Sequence, residues 1–180
     1  MILLAIIACE VGFWVAIIAG LAARYLAGRP RLGSVLLVAA PVIDVVLLVL
    51  VAVDLIGGGT ASWHHGLAAL YIGVSIAYGR RMISWADAKF AVRFRGAPPR
   101  PTLGGMAYAL ACWKDVARTT LAAGIAAAIL YGLIWIVAAP ERTAELDAFF
   151  PILGVIVGVE LLWAISYTLW PKKVSADARG

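Results

Sequence analysis

Charge is what this sequence has least of. Only 14% of its 180 residues are Asp, Glu, Lys or Arg, where a water-soluble domain carries about 25%. That excludes a chain whose whole surface faces water. Histidine and cysteine are nearly absent as well. His64 and His65 are the two histidines, Cys9 and Cys112 the two cysteines. Neighbouring residues on a helix point about 100° apart, so the adjacent histidines do not easily chelate one metal, and a bis-histidine haem would need them on separate helices. No cysteine spacing matches a metal site, and no Glu-x-x-His pair suggests a dinuclear centre. Gly-x-Ser-x-Gly, His-Glu-x-x-His and phosphate-loop patterns are also missing. The expectation is therefore no metal, no cofactor and no recognisable enzyme class.

Apolar runs take the place of charge. The chain is 64% hydrophobic with a mean hydropathy of +0.98. Its apolar residues gather into runs at about 2–24, 33–56, 61–83, 120–139 and 150–170. A helix needs roughly 20 apolar residues to cross a bilayer, and a lipid-exposed backbone must satisfy its own hydrogen bonds. The alternating ten-residue segments of a membrane barrel are missing. The fold class expected is all-α: a multi-pass transmembrane helical bundle of about five spans, forming a single integral membrane domain over 1–180.

The basic residues orient it. Arg24, Arg29 and Arg31 follow the first run. Arg80 to Arg118 follow the third, and Lys172, Lys173 and Arg179 follow the fifth. The one remaining, Arg142, sits among Glu141, Glu145 and Asp147. Positive charge marks the cytoplasmic side, which predicts the N-terminus outside and the C-terminus cytoplasmic. The first run has no basic lead and is followed by basic residues, so it reads as a span and not as a cleaved signal. Cys9 and Cys112 then lie toward opposite faces, beyond disulfide reach. The net charge of +5 lies between apolar runs and forms no soluble patch, which argues against nucleic acid. The long inner loop, 84–119, is broken by "GAPPRPTLGG" and flanked by "SWADAKFAVRFR" and "MAYALACWKDVARTT". Aromatics mixed with bases read as interfacial helices, with anionic lipids at the cytoplasmic face as partners, and 103–113 as a segment that could dip into the membrane. Gly154 with Gly158, and Gly66 and Gly73 with Ala69 and Ala77, are small faces suited to close helix packing, within the bundle, in a homodimer or against a partner membrane protein.

Three acids stand where apolar residues belong. Asp44 lies in the middle of "LVAAPVIDVVLLVLVAVD", Glu10 in the first run and Glu160 in the fifth. At a 1.5 Å rise they fall roughly 13–19 Å below the outer surface, with no Lys or Arg at that depth. A charge near the bilayer centre costs at least about 2.5 kcal/mol, so the trio is expected to face inward. Each acid is then protonated, bound to a mobile cation or hydrogen-bonded. Pro41, which frees the carbonyl of Leu37, stands beside Asp44. His64, Tyr71, Ser75 and Tyr78 share one helical face. The expected site is a cation- or proton-binding pocket of Glu10, Asp44, Glu160, Tyr71 and His64, with Asp54 and His65 at its mouth and Trp14 and Trp163 placed to stack on an organic cation.

"ACEVGFWVAIIAGLAARY" (8–25) and "HGLAALYIGVSIAYG" (65–79) resemble segments of the YmcC-like bacterial inner-membrane proteins, over the first half of the chain. That resemblance implies the bacterial cytoplasmic membrane and supplies no activity, substrate or site residue. Two functions stay open: a proton-coupled carrier or channel for small cations or amines, and a non-catalytic accessory or scaffold subunit of a larger membrane complex.

Overall fold

A computed structural model describes residues 2–96, 98 and 103–172. These form helices α1 (Ile2–Tyr25), α2 (Pro30–Ile56), α3 (Trp63–Arg95), α4 (Gly105–Val137), α5 (Pro140–Asp147) and α6 (Phe149–Leu169), and no strand is among them. Local chemistry sets the ends. Pro30 and Pro140 open α2 and α5 at the first turn, where the missing N–H would have no partner in any case. At the start of α3 the Ser62 N–H donates to His65 Nδ1 (3.1 Å) and the His65 N–H donates to the Ser62 carbonyl (3.0 Å). α3 closes on Gly96 at φ 64°, a left-handed conformation glycine adopts without steric cost.

Stretches at Ile7–Tyr25, Pro30–Ile56, Gly105–Val137 and Pro140–Leu169 are long and apolar enough to cross a membrane. α3 is long enough, but its second half carries Arg80, Arg81, Lys89 and Arg93. The inner segment differs from its sequence reading. "SWADAKFAVRFR" continues α3 and "MAYALACWKDVARTT" begins α4, so neither forms a separate interfacial helix, and 103–113 is mostly the first part of α4. A helix that leaves the apolar layer has no reason to stop until a breaker arrives, and the only breakers lie between 96 and 105.

The helices line up as neighbours. α1 and α2 form one antiparallel hairpin, α3 and α4 another; α2 lies against α3, and α6 against α4. A Cβ on Gly33 would lie 2.6 Å from the Gly20 carbonyl oxygen, so only glycine permits this α1–α2 approach. Gly73 likewise meets the Ala122 backbone of α4, and Gly66 meets the ring of Phe149. A Cβ on Gly154 or Gly158 would meet nothing within 4 Å, so among the described residues that small face packs against no other helix.

The main core lies toward the 57–62 turn and α5. It joins Val51 and Leu55 of α2, Ala69 of α3, Ala126 and Leu130 of α4, Leu146 of α5 and Phe149 of α6. Arg142, the one Lys or Arg among the described residues at this end, donates to the Leu55 carbonyl (3.0 Å), closing the C-terminus of α2 where a cation is favoured. The opposite, basic end is clasped by ion pairs. Arg24 of α1 pairs with Asp87 of α3, which also accepts from Tyr25 Oη (2.9 Å). Asp115 of α4 holds Arg81 of α3 and Arg118 (2.8 Å). Tyr78 Oη donates to the Asp115 carbonyl (3.1 Å) and lies 2.6 Å from Thr119 Oγ1.

Candidate functional site

The buried side of α2 reads Gly33, Ala40, Asp44, Leu47, Val51 and Leu55. This is one apolar stripe at helical spacing with an acid in the middle of it. α2 runs unbroken through Pro41, so Asp44 stays in register and is carried into the protein, where it is only 4% exposed. Among the described residues, its Oδ2 has no hydrogen-bond partner.

Asp44 borders a cavity of about 200 Å³ that is also lined by Phe13, Trp14, His64 and Tyr71, over a floor of Leu47, Leu67 and Ala68. No Lys or Arg lines it among the described residues. Phe13 of α1 stacks on Tyr71 of α3, with centroids 6.3 Å apart and planes 20° apart, and Trp14 meets Phe13 edge-on at 5.6 Å. Trp14 and Tyr71 are exposed at the rim. The cavity therefore lies where α1 and α3 face each other across α2, and its rim is on the apolar flank of the molecule. A bare carboxylate buried there without a partner is costly; a proton or a bound cation removes that cost, and aromatic faces attract an organic cation.

The structure brings Asp44, His64 and Tyr71 together. Glu10 lies on α1, and its side chain is outside the described residues; the α1–α2 register, set by Gly20 against Gly33 and Gly12 against Ile43, puts residue 10 level with Asp44. Glu160 lies elsewhere. α6 packs on the far side of α4, and Glu160 lines a second cavity with Arg81, Asp115 and Lys172. His65 is the capping residue of α3 and does not line the Asp44 cavity. Asp54 sits at the last turn of α2, roughly 15 Å along the helix from Asp44, and does not line it either. Tyr78 faces α4 instead of sharing the cavity with Tyr71. Phe13, absent from the expected set, joins the cavity through its place one turn after Glu10. Asp115, also unanticipated, was marked in the sequence by Arg118 three residues on, a pair that meets on one helix face.

Long helices, an apolar exterior and an acid buried in a spanning stripe together define a multi-pass α-helical membrane protein. The chain belongs to the YmcC family: it is 43% identical over 175 residues, covering 96% of this chain and 94% of the relative, to the protein of Bacillus subtilis (strain 168) named "Uncharacterized membrane protein YmcC". The likeness thus spans nearly the whole chain and not its first half alone. No family model matches the sequence, and no solved structure does.

Proposed function

We propose that this protein binds a proton or a small cation, an organic amine included, at Asp44 and exchanges the two as a carrier in the bacterial cytoplasmic membrane. The observation that carries the reading is the buried Asp44 carboxyl, one oxygen unpartnered among the described residues, facing a roughly 200 Å³ aromatic cavity whose described wall holds no Lys or Arg. Neutralisation there requires either a proton or a cation, and one displaces the other, which is the elementary step of exchange. Phe13, Trp14 and Tyr71 supply faces for an alkylammonium, and His64 stands at the edge as a group able to pass a proton. Residue 10 of α1 stands level with Asp44, whereas Glu160 lines the other cavity. The topology that goes with this reading has the N-terminus outside and the C-terminus cytoplasmic, with anionic lipid meeting the exposed bases Arg80 and Arg93.

A second reading is a scaffold subunit. The open face at Gly154 and Gly158 favours it, because small residues let a second membrane helix approach.

Melting of the purified protein with protons, alkali cations, divalent metals and tetramethylammonium, beside Asp44→Asn, separates the two. A ligand at a hundred times its Kd stabilises the folded state by about 2.7 kcal/mol. The expected outcome is a higher Tm for wild type with at least one cation and none for the variant. In proteoliposomes the same cation should drive proton movement that Asp44→Asn abolishes. No shift with any cation, together with a more stable variant, makes Asp44 a tolerated buried acid and leaves the scaffold reading.

A further inference from the structure

A second cavity is larger than the one at Asp44. It measures about 510 Å³, lies between α4 and α6 toward the basic end, and is lined by Arg81, Tyr108, Asp115, Glu160, Trp163 and Lys172, with apolar residues between them. The charges on its wall balance: two cations and two carboxylates. They are not equally engaged. Arg81 is held by Asp115, which Arg118 also holds. Lys172 and Glu160 form no ion pair among the described residues. A free cation and a free carboxylate thus face one space with aromatic rings between them.

Both free groups are positioned by the fold. The Lys172 carbonyl accepts from the Gly105 N–H at 2.7 Å, which ties the chain leaving α6 to the start of α4. Its ammonium stands 4.8 Å from the centre of the Tyr108 ring. Tyr108 meets Tyr167 edge-on at 4.7 Å, and Tyr167 contacts Trp163 at 5.5 Å. Trp163 is one helical turn from Glu160 and borders the same cavity. Val159 and Trp163 of α6 and Leu103 line this cavity and are exposed, so it opens on an apolar surface.

An anion alone would satisfy Lys172 and meet Glu160; a cation alone would do the reverse. The complement of this wall is a ligand of both signs. We infer that the α4–α6 cavity binds a phosphate–amine zwitterion, the chemistry of phosphoethanolamine and phosphocholine, with the phosphate at Lys172 and the ammonium between Glu160 and Trp163. A phospholipid headgroup and a free phosphoamine share that chemistry. The apolar surface at its opening suits the lipid, whose chains would lie along it. This site is separate from Asp44 and does not depend on exchange there.

Native mass spectrometry of the detergent-extracted protein, incubated with phosphatidylethanolamine, phosphatidylcholine or phosphatidylglycerol, tests it, with soluble phosphoethanolamine as competitor. Wild type should retain the zwitterionic lipids about tenfold better than phosphatidylglycerol, the ratio that one charge-assisted contact supplies. Glu160→Gln and, independently, Lys172→Gln in the coil after α6 should each remove that preference while melting as wild type does. Retention that phosphoethanolamine does not displace supports a lipid held by head and chains. Displacement supports a site for the free zwitterion. Equal retention of phosphatidylglycerol, or a preference unchanged in both variants, overturns the inference.

Discussion

Asp44 and Asp87 show how differently two acids on long helices can be satisfied. Asp87 accepts from Arg24 Nε (2.6 Å) and Tyr25 Oη (2.9 Å) and pairs with Arg24 Nη2 as well, while the Arg24 side chain is only 15% exposed. Asp87→Ala leaves that guanidinium short of acceptors, and orphaning a partly buried charge costs about 1–3 kcal/mol. The expected result is a lower midpoint in thermal melts, with cation response at Asp44 retained. Asp44 could be found in the sequence because an acid inside an apolar run contradicts its surroundings. Glu160 contradicts its own run as strongly, but similar depth and the lack of a basic partner there do not bring it to Asp44. Counting residues from a span end gives a level in the membrane. It gives neither the direction a side chain takes around the helix nor the order of helices. α3 and α4 stand between α2 and α6, so two acids at similar depth reach different cavities.

Helices pair here through backbone approach more than through bulk. Gly33→Val would put a Cβ 2.6 Å from the Gly20 oxygen and 3.0 Å from the Arg24 Cα, atoms that cannot move without separating α1 from α2. Overpacking of this kind costs about 1–3 kcal/mol, so the variant should melt earlier. Gly154→Ala, with open space around it, should equal or exceed wild type, since alanine favours helix by about 1 kcal/mol. Comparing the two melts checks the assignment; equal losses would refute it. The small residues were visible in the sequence as candidate contacts. Which of them touch another helix was not, because spacing marks a face and not its neighbour. The inner segment is similar. The Pro/Gly break was visible and does separate α3 from α4, but helix continued through Ser84–Phe94, since a helix needs apolar residues only where lipid surrounds it.

The whole molecule is longer than a bilayer is thick. α3 and α4 have 33 residues each, about 50 Å at 1.5 Å per residue, against a hydrocarbon core of about 30 Å. Their paired ends therefore stand clear of the membrane on the basic side, where 96–104 joins them. Orientation is checked with single cysteines in a variant lacking Cys9 and Cys112. Glu141→Cys should label with a membrane-impermeant maleimide in intact cells. Lys89→Cys should label only after lysis, and the reverse pattern would invert the topology. The all-α multi-pass class was readable at this scale because composition and run length decide it without any knowledge of contacts.

The clasp arginines act at two moments. While the chain is being inserted, nothing has folded against them, and Arg24, Arg81 and Arg118 count as bare positive charge beside emerging spans, where such charge biases which end stays behind. Once α3 and α4 have formed, Asp87 and Asp115 take them up. The charge that directs biogenesis is thus larger than the charge the finished surface displays, and the difference becomes the fastening between helices.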